Sequence, residues 1–531
     1  MLSSLLFAPP CRADDAALEA GIAALKSSEF AAKTQALDQI VESGSARAQA
    51  VLNALLESRL YVRDSDDVVV IAAEGAAGLD IANAVTGAAM GTVDKADLSK
   101  IIINNQMRGS LRSALARLSL SAPDPSARRS AVESLFSSLT DETLALLRER
   151  LAKERDPGVQ AAIRTALALA DIDSPDRERR SAAIDELSHS MHAEARNRLA
   201  TLLVVGPDGA TQEPDAQLRQ AAAIAVEHID RMRTLYGVVE TALFGLSLGF
   251  VLVLAATGLA ITFGVMGVIN MAHGELIMLG AYATWLVQQA MPGHLELSLF
   301  AAIPAAFVVS AAAGVVIERG VVRFLYGRPL ETLLATFGIS LVLQQGVRSI
   351  FSPLNRAVST PDWMSGQFVV NDALAITYNR LYIIVFSIAV FLALVAMLRY
   401  TTLGLQVRAV AQNRGMAQAM GIRAGWIDAV TFGLGSGVAG LAGVALSQLT
   451  NVGPNLGQSQ IVDSFMVVVF GGVGNLWGTL VAGLSLGIAN KFLEPFAGAV
   501  LAKIFVLVFI ILFIQRRPRG LFPQRGRAAE S

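Results

Sequence analysis

The two halves of this chain differ in how hydrophobic and polar residues are arranged. Up to about Arg233, charged residues are dense and apolar residues recur at the three- or four-residue spacing of amphipathic helices. After Val238, long apolar runs dominate and charged residues gather in short clusters between them. The change predicts an α-helical soluble domain over residues 14–235 and a membrane domain built from α-helices over residues 236–531.

The soluble half has features of a helical repeat. Apolar residues at helical spacing between residues 15 and 60 predict two or three short helices. An acidic residue followed by proline is typical of a helix start, and such pairs occur at Asp124-Pro125, Asp156-Pro157 and Glu213-Pro214. Their recurrence predicts stacked helical hairpins of the HEAT-like kind. The runs VVVIAAE and KIIINN, between Tyr61 and Ile103, predict a small β-hairpin inserted among these helices.

The membrane half contains nine apolar stretches that we interpret as spans. The stretches from 462 to 474 and from 479 to 494 are short and glycine-rich, so they form either two crossings or one broken element. The total is therefore nine or eight crossings. The nine stretches lie at about residues 240–263, 276–290, 299–318, 331–350, 381–399, 427–449, 462–474, 479–494 and 498–514.

Three arginine clusters predict how these spans are oriented. Because basic residues concentrate on the cytoplasmic side of membrane proteins, all three clusters should lie in the cytoplasm. The first cluster follows the third span, so counting back three crossings places residues 1–235 outside the cytoplasm. From that starting point, nine crossings place the C-terminus in the cytoplasm, whereas eight would place it outside. Residues 351–380 form the longest external loop. The clusters are Arg319, Arg323 and Arg328; Arg399, Arg408, Arg414 and Arg423; and Arg516, Arg517, Arg519, Arg525 and Arg527.

Composition narrows the function classes. The 531 residues are 53% hydrophobic with a mean hydropathy of +0.51, and a net charge of −1 argues against nucleic acid as a partner. The single cysteine, Cys11, excludes an internal disulfide framework and a cysteine-based zinc site.

Residues 1–13 are a candidate signal peptide that ends at Ala13, although no basic residue precedes their apolar stretch; the alternative is a disordered terminus. His189 and His192 stand three residues apart on one predicted helix, and without a third ligand we interpret them as part of a solvated surface.

One apolar segment carries polar residues in its middle. The segment from Thr257 to Tyr282, TGLAITFGVMGVINMAHGELIMLGAY, contains Asn270, His273 and Glu275. Ionisable groups are costly at membrane depth and usually face a bundle interior or a polar path. The segment is therefore a candidate part of a translocation route, and the alternative is a short turn between two ordinary spans.

Two segments carry a resemblance to a known family. The run GVMGVINMAHGELIMLGAY resembles a motif of the permease subunits of branched-chain amino acid and amide ABC importers, and the resemblance extends more loosely over residues 238 to 525. The stretch from Tyr400 to Gly425 is similar to the cytoplasmic loop with which such permeases contact their ATPases. Its spacing predicts a compact helix-turn, and the alternative is an inert amphipathic loop. In this family the loop has the form GxxxRAxxxNxxxAxxxGI, and the matching residues here are Gly404, Arg408, Ala409, Asn413, Ala417, Gly421 and Ile422.

The resemblance implies a permease subunit with no nucleotide site or cofactor of its own. The glycine-rich stretch FGLGSGVAGLAG at 432–443 lacks a P-loop lysine and lies inside an apolar span, where small residues allow close helix packing. ATP and Mg would therefore be bound by separate ABC ATPase subunits. The resemblance also implies a second permease subunit or a second copy of this chain, a periplasmic substrate-binding protein and membrane lipid as partners. The chain would be a multi-pass inner-membrane protein with a periplasmic N-terminal domain and a cytoplasmic C-terminus.

The N-terminal extension bears on the substrate. It resembles the extension of the urea permeases of this family, as do the runs LESRLYV at 56–62 and KIIINNQMRGSLRSALARLSL. The resemblance implies urea, with branched-chain amino acids or short-chain amides as the alternative. A neutral, planar substrate suits amide and imidazole groups, so Asn270, His273 and Asn475 are expected contacts, whereas Glu275 either lines the path or holds helices together. A membrane sensor is the alternative from another class, although the sequence shows no cytoplasmic signalling domain.

Overall fold

The chain forms two compact units. A computed structural model describes residues 12–522 except 28, 46, 76–77, 206–210 and 372. The candidate signal peptide lies outside the described residues apart from Arg12 and Ala13, and so do Arg525 and Arg527 of the third arginine cluster. The two units are Met1–Arg233 and Thr234–Ser531, a division two residues before the one expected from the hydrophobic pattern.

The N-terminal unit opens with three helices and a sheet. The helices α1 (Arg12–Ala24), α2 (Phe30–Glu42) and α3 (Ala48–Leu56) bury their apolar faces in one core. An antiparallel sheet follows, in which the strands are ordered β4-β3-β2-β1-β5. Its strands are β1 (Leu60–Arg63), β2 (Val68–Gly75), β3 (Gly78–Asn83), β4 (Ala89–Val93) and β5 (Leu98–Lys100).

The prediction of a small β-hairpin is therefore wrong, because this region forms a five-stranded sheet. The run VVVIAAE does form a strand, β2, but it pairs with strands on both sides in a sheet of five. The run KIIINN contributes only its lysine, because Lys100 ends β5 and Ile101 enters the helical core. Asn104 then caps the next helix through its Oδ1 atom, which accepts the Met107 N–H at 2.7 Å.

Helices make up the rest of this unit. Apolar residues of α5, α6, α7, α8 and α9 share a second core with the first turns of α10. The ranges are α4 (Asn105–Ser119), α5 (Pro125–Ser134), α6 (Asp141–Lys153), α7 (Pro157–Asp171), α8 (Arg177–Ser188), α9 (Ala193–Thr201) and α10 (Ala216–Met266). His189 and His192 do not share a helix, contrary to expectation, because α8 ends before both; the His192 ring packs edge-on against Phe136.

Four helix starts in this unit repeat one hydrogen-bonding pattern. At each start an aspartate side chain accepts a backbone N–H, and four residues later a long polar side chain donates back to the carbonyl six residues before it. The aspartates are Asp124, Asp156, Asp176 and Asp215. The donors and their carbonyls are Arg128 to Ala122, Gln160 to Glu154, Arg180 to Ser174 and Arg219 to Glu213.

The repeated starts are also joined to one another. The Glu154 carboxylate accepts from Arg128, and the Glu213 carboxylate accepts from Arg180 at 2.9 Å, so each glutamate ties its own helix start to an earlier one. This pairing explains why the predicted helix start at Glu213-Pro214 is wrong. Glu213 is engaged by Arg180, and Asp215 takes the capping role for α10. The HEAT-like class of this unit stays a prediction.

The C-terminal unit is a bundle of apolar helices. Among the described residues, it contains the later turns of α10, a short β-hairpin and nine further α-helices. The ranges are α11 (His273–Ala290), α12 (Leu295–Gly320), α13 (Pro329–Phe351), β6 (Gln367–Asn371), β7 (Leu374–Thr377), α14 (Tyr378–Tyr400), α15 (Thr402–Gln412), α16 (Arg414–Ala419), α17 (Ala424–Ser447), α18 (Leu456–Gly471) and α19 (Leu476–Arg516).

Six of the described helices are long and apolar enough to cross a membrane, namely α10, α12, α13, α14, α17 and α19. The apolar stretches at 276–290 and 462–474 lie mainly in α11 and α18, which are not among these six. The last two stretches both fall in the 41-residue α19, which is interrupted by Pro495 and by a non-helical Gly498 with a φ of +76°. A count of eight or nine crossings is not established by these helices and stays a prediction.

α17 lies at the centre of this unit. Most of its residues are buried, and it packs against both α11 and α12. A Cβ atom on Gly280 of α11 would meet the backbone of Gly440 of α17, so the two helices approach as closely as only glycine permits. The small residues of 432–443 therefore serve helix packing, as predicted.

Candidate functional site

The backbone between α10 and α11 leaves the helical conformation inside the bundle. Gly267 adopts a φ of +67°, and residues 267–272 are not helical. Buried backbone groups need partners, and two side chains supply them. The Asn270 Oδ1 atom accepts the Ala272 N–H at 3.0 Å, and the Thr336 hydroxyl of α13 accepts the Met271 N–H at 3.1 Å. Part of Asn270 is thus used to hold the break in place.

His273 is the first residue of α11 and is completely buried. Its Nε2 atom lies 2.8 Å from the Ala255 carbonyl oxygen of α10. Because a carbonyl only accepts, this contact assigns the proton to Nε2 and leaves Nδ1 as an acceptor. The imidazole therefore links α10 to α11 across the break.

Glu275 connects three helices. Its carboxylate is buried, and the Oε1 atom accepts from the Ser340 hydroxyl at 3.0 Å and from the Gln344 amide at 2.7 Å, both on α13. The Oε2 atom faces the first turn of α18, since a Cβ on Gly457 would lie 2.7 Å from it. A helix N-terminus favours a nearby negative charge. Glu275 thus holds helices together, one of the two roles that the sequence left open.

Each of these three residues also has one polar atom that takes no part in the contacts described above. Asn270 Nδ2, His273 Nδ1 and Glu275 Oε2 are buried and have no hydrogen-bond partner among the described residues. An unpaired buried donor or acceptor costs about 1–3 kcal/mol. Together they present one donor and two acceptors within the bundle.

Asn475 lies in a different environment from these three. It caps α19, where its Oδ1 atom accepts the Gly478 N–H at 3.1 Å, and its Nδ2 atom donates to the Phe522 carbonyl at 3.2 Å. It lines a cavity of about 860 Å³ together with Arg408. The structure thus groups Asn475 with the predicted coupling segment rather than with Glu275.

The segment from Tyr400 to Gly425 forms the predicted helix-turn. α15 packs on the end of α14 at Gly404, where a Cβ would clash with the Leu398 carbonyl. Asn413 caps α16 by accepting the Met416 N–H at 2.9 Å, and Gly421 ends it with a φ of +88°. Ala417 is buried in the small core of this segment.

The segment exposes apolar and basic side chains. Leu405, Met416 and Met420 are 61%, 63% and 77% exposed, which is high for residues of this type. Arg408 is also exposed, although it donates to the Leu398 carbonyl. Ala409 is half-buried between these surfaces. This surface has the composition of a protein-docking site.

A charge cluster with buried acids and half-buried arginines anchors the segment to the bundle. Arg414 of α16 lies 2.5 Å from the carboxylate of Asp428, which is fully buried in α17. The Arg414 guanidinium also sits 4.4 Å from the centre of the Tyr326 ring. Burial raises the pKa of the Tyr326 hydroxyl, and the Asp428 charge raises it further. Glu318 of α12 is fully buried nearby, with Arg319 at 3.6 Å.

Sequence reasoning missed this cluster. Asp428 follows the positive cluster by only a few residues and Glu318 stands at the end of an apolar run, so each reads as the edge of a span. The available signal was that both are lone acids inside helical apolar patterns. Among the described residues, no group of three His, Cys, Asp or Glu side chains could hold a metal ion.

Comparison with known proteins places the membrane half in context. Residues 241–514 match the family model described as "Branched-chain amino acid transport system / permease component". The chain is 30% identical to the high-affinity branched-chain amino acid permease protein BraD of Pseudomonas aeruginosa, over 55% of this chain and 97% of that protein. It is 31% identical to LivH of Escherichia coli K12, over 52% and 92%, and 28% identical to the ribose import permease protein RbsC of the same organism, over 46% and 75%. No solved structure matches the chain.

Proposed function

Because the chain belongs to the family of branched-chain amino acid transport permease components, we propose that it is the membrane subunit of an ATP-driven importer of urea. The observation that carries the proposal is the combination of two features in one unit. A bundle of membrane-length apolar helices contains a buried polar break, and a helix-turn segment exposes apolar side chains beside it. The chain is a transport component and not an enzyme.

The polar break supports a route for a neutral solute. Urea carries N–H donors and one carbonyl acceptor, which complement two acceptors, His273 Nδ1 and Glu275 Oε2, and one donor, Asn270 Nδ2. These atoms are shut off from solvent in the present conformation. Transport would therefore require the helices that meet at Glu275 to separate, as in alternating access.

The exposed segment supports coupling to an ATPase. α15 and α16 form a compact body that shares a small core with Ala424 and Ile427 at the start of α17, and Arg414 also ties it to α17. An ATPase that docks on Leu405, Met416 and Met420 would move this body, and the Arg414–Asp428 ion pair would carry the motion to the central helix. We further propose that this side is cytoplasmic, because the three arginine clusters belong there, and that the N-terminal unit is periplasmic.

The choice of urea rests on the N-terminal unit. The family match begins at residue 241, after a unit of about 230 residues that resembles the extension of urea permeases. The names of the relatives instead favour branched-chain amino acids, which remain the second candidate.

Uptake of labelled urea and labelled leucine, in cells with and without this chain, separates the candidates. Loss of urea uptake alone supports the proposal, whereas loss of leucine uptake alone keeps the permease function and overturns the substrate. A variant in which Leu405, Met416 and Met420 are replaced by serine should abolish uptake together with ATPase co-purification. If uptake of both solutes is the same with and without the chain, and no ATPase co-purifies with the wild-type chain, the importer proposal is contradicted and a sensor is favoured.

A further inference from the structure

One cavity of the membrane unit has an apolar wall and a basic rim. Its volume is about 860 Å³, and it lies between the C-terminal turns of α10 and α14, the helix α15 and the first turn of α19. Ala260, Ile261 and Val395 belong to the apolar wall, and Trp477 and Phe522 add aromatic surface. Arg399 stands at the end of α14, and Arg408 projects from the middle of α15.

The charge of the lining is unbalanced. None of the described residues that line the cavity is acidic, whereas two are arginines. Arg399 packs against the Tyr400 ring and Arg408 donates to a backbone carbonyl, and neither forms a described ion pair. Gln412 and Asn475 add neutral hydrogen-bonding groups. Such a lining is complementary to an anion with an attached apolar body.

The positions of the aromatic and basic residues match the depth of a membrane interface. Trp477 is 57% exposed and packs edge-on against Phe391 of α14, at the start of an apolar helix. Tryptophan and arginine are enriched where hydrocarbon meets headgroups. Arg399 is the penultimate residue of α14, so the basic rim lies at the end of a span and the apolar wall extends along it.

We propose that this cavity binds an anionic phospholipid of the cytoplasmic leaflet. The phosphodiester would pair with Arg399 and Arg408, and an acyl chain would lie along Val395 and Ile261. The assignment of the leaflet rests on the proposed function, which makes this end of the bundle cytoplasmic. Because α15 forms one wall, the bound lipid would lie between the ATPase-facing segment and the helices α10 and α19. Lipid occupancy would therefore regulate coupling.

Quenching of Trp477 by brominated lipid tests the proposal. The full chain, purified with its co-purifying subunits, is placed in phosphatidylcholine nanodiscs with increasing fractions of brominated phosphatidylglycerol. Subtracting the signal of a Trp477→Phe chain isolates the tryptophan in the cavity from Trp285, Trp363 and Trp426. We expect saturable quenching by brominated phosphatidylglycerol and weak, non-saturable quenching by brominated phosphatidylcholine.

Matched variants identify the basic rim. A basic residue near an anionic membrane contributes about 1 kcal/mol, so Arg399→Gln should weaken the apparent affinity about fivefold. Arg399→Lys should retain most of the affinity, and Arg423→Gln, which belongs to the same arginine cluster but lies outside the cavity, should have no effect.

Three results would overturn the lipid site. They are equal quenching by both brominated lipids, an unchanged affinity in Arg399→Gln, and displacement by inorganic phosphate, which would indicate a site for soluble anions. Displacement by urea would instead identify the cavity as part of the solute exit. Binding is read without transport, and ATPase co-purification reports the proposed function separately, so the two can fail independently.

Discussion

Replacing Glu154 with glutamine should strongly destabilise the N-terminal unit. The Glu154 side chain is 2% exposed and receives Arg128 in a bidentate pair, with Nη2 at 2.8 Å from Oε1 and Nε at 2.9 Å from Oε2. The backbone N–H groups of Arg155 and Asp156 and the Arg150 guanidinium also donate to it. One carboxylate thus joins the end of α6, the start of α7 and the start of α5.

The magnitude follows from what the glutamine leaves behind. Removing one partner of a buried ion pair costs about 3–5 kcal/mol. Arg128 would keep two carbonyl acceptors, at Ala122 and Pro123, and the glutamine oxygen would still accept a hydrogen bond. We therefore expect the lower end of that range, about 3 kcal/mol. Glu149→Gln, which breaks an exposed pair with Lys153, is the matched control and should change stability little.

The sign of the pH dependence gives a second test. The hydrogen bonds from Arg128 lower the pKa of Glu154 from 4.5 to about 2. A carboxyl whose pKa is lower in the folded state stabilises fully above its unfolded pKa and loses that contribution as pH falls towards the folded one. The wild-type unit should therefore lose stability between 4.5 and about 2, and Glu154→Gln should lack this component.

Urea unfolding of residues 14–233, followed by far-ultraviolet circular dichroism at about pH 7 and about pH 3, measures both effects. This segment contains no tryptophan, so fluorescence from that residue is not an option. If the glutamine variant unfolds at the wild-type midpoint near neutral pH, the Arg128–Glu154 pair does not stabilise the unit. If its pH profile parallels that of the wild type, the assigned origin of the acid loss is wrong.

Three further substitutions test the membrane unit. Glu275→Ala should lower the thermal midpoint in detergent while Glu275→Gln keeps it, because glutamine can still accept the two bonds from α13; equal midpoints would contradict the helix-linking role. Arg414→Gln should uncouple ATP hydrolysis from uptake, because it leaves Asp428 buried and unpaired. Adding Asp428→Asn should restore part of the coupling. A double variant that couples no better than Arg414→Gln alone would contradict the role of the ion pair. Gly421→Ala should weaken ATPase co-purification, since a side chain at a φ of +88° costs about 1 kcal/mol. Gly425→Ala is the unstrained control. Equal co-purification of the two variants would exclude the end of α16 as a determinant of ATPase binding.

The sequence predicted the structural features that depend on neighbouring residues. The helix-turn between Tyr400 and Gly425 is an example, because the Asn413 cap and the Gly421 helix end each act within a few residues of themselves. The helix starts at Asp124 and Asp156 are correct for the same reason, since each side chain bonds the backbone two or three residues on. At Glu213 the same local rule failed, because a distant arginine, Arg180, claims the carboxylate.

Features that depend on residues far apart in the chain could not be predicted. The Arg414–Asp428 pair closes across a turn, and Glu318 joins its surroundings from a different helix. Asn475 was expected to contact the substrate because an amide suits a neutral, planar molecule, and this stays a prediction; the sequence did not show that the fold places it beside Arg408. In each case the sequence shows a polar residue in an apolar context, and only the packing says which neighbour it meets.

A polar residue in an apolar segment has two explanations that are often treated as exclusive: it lines a path, or it satisfies the structure. Under the proposed transport function, one side chain serves both purposes at Asn270, His273 and Glu275. Each uses one polar atom to hold the break between α10 and α11 or to link helices. Each leaves a second polar atom that has no partner in the described part of the chain, at a cost that packing must offset. If every polar atom of the break had a hydrogen-bond partner, the break would be a rigid turn. If none had a partner, the segment would not fold. Under the proposed transport function, the half-satisfied arrangement would make a conformation that pairs those atoms with a solute energetically accessible.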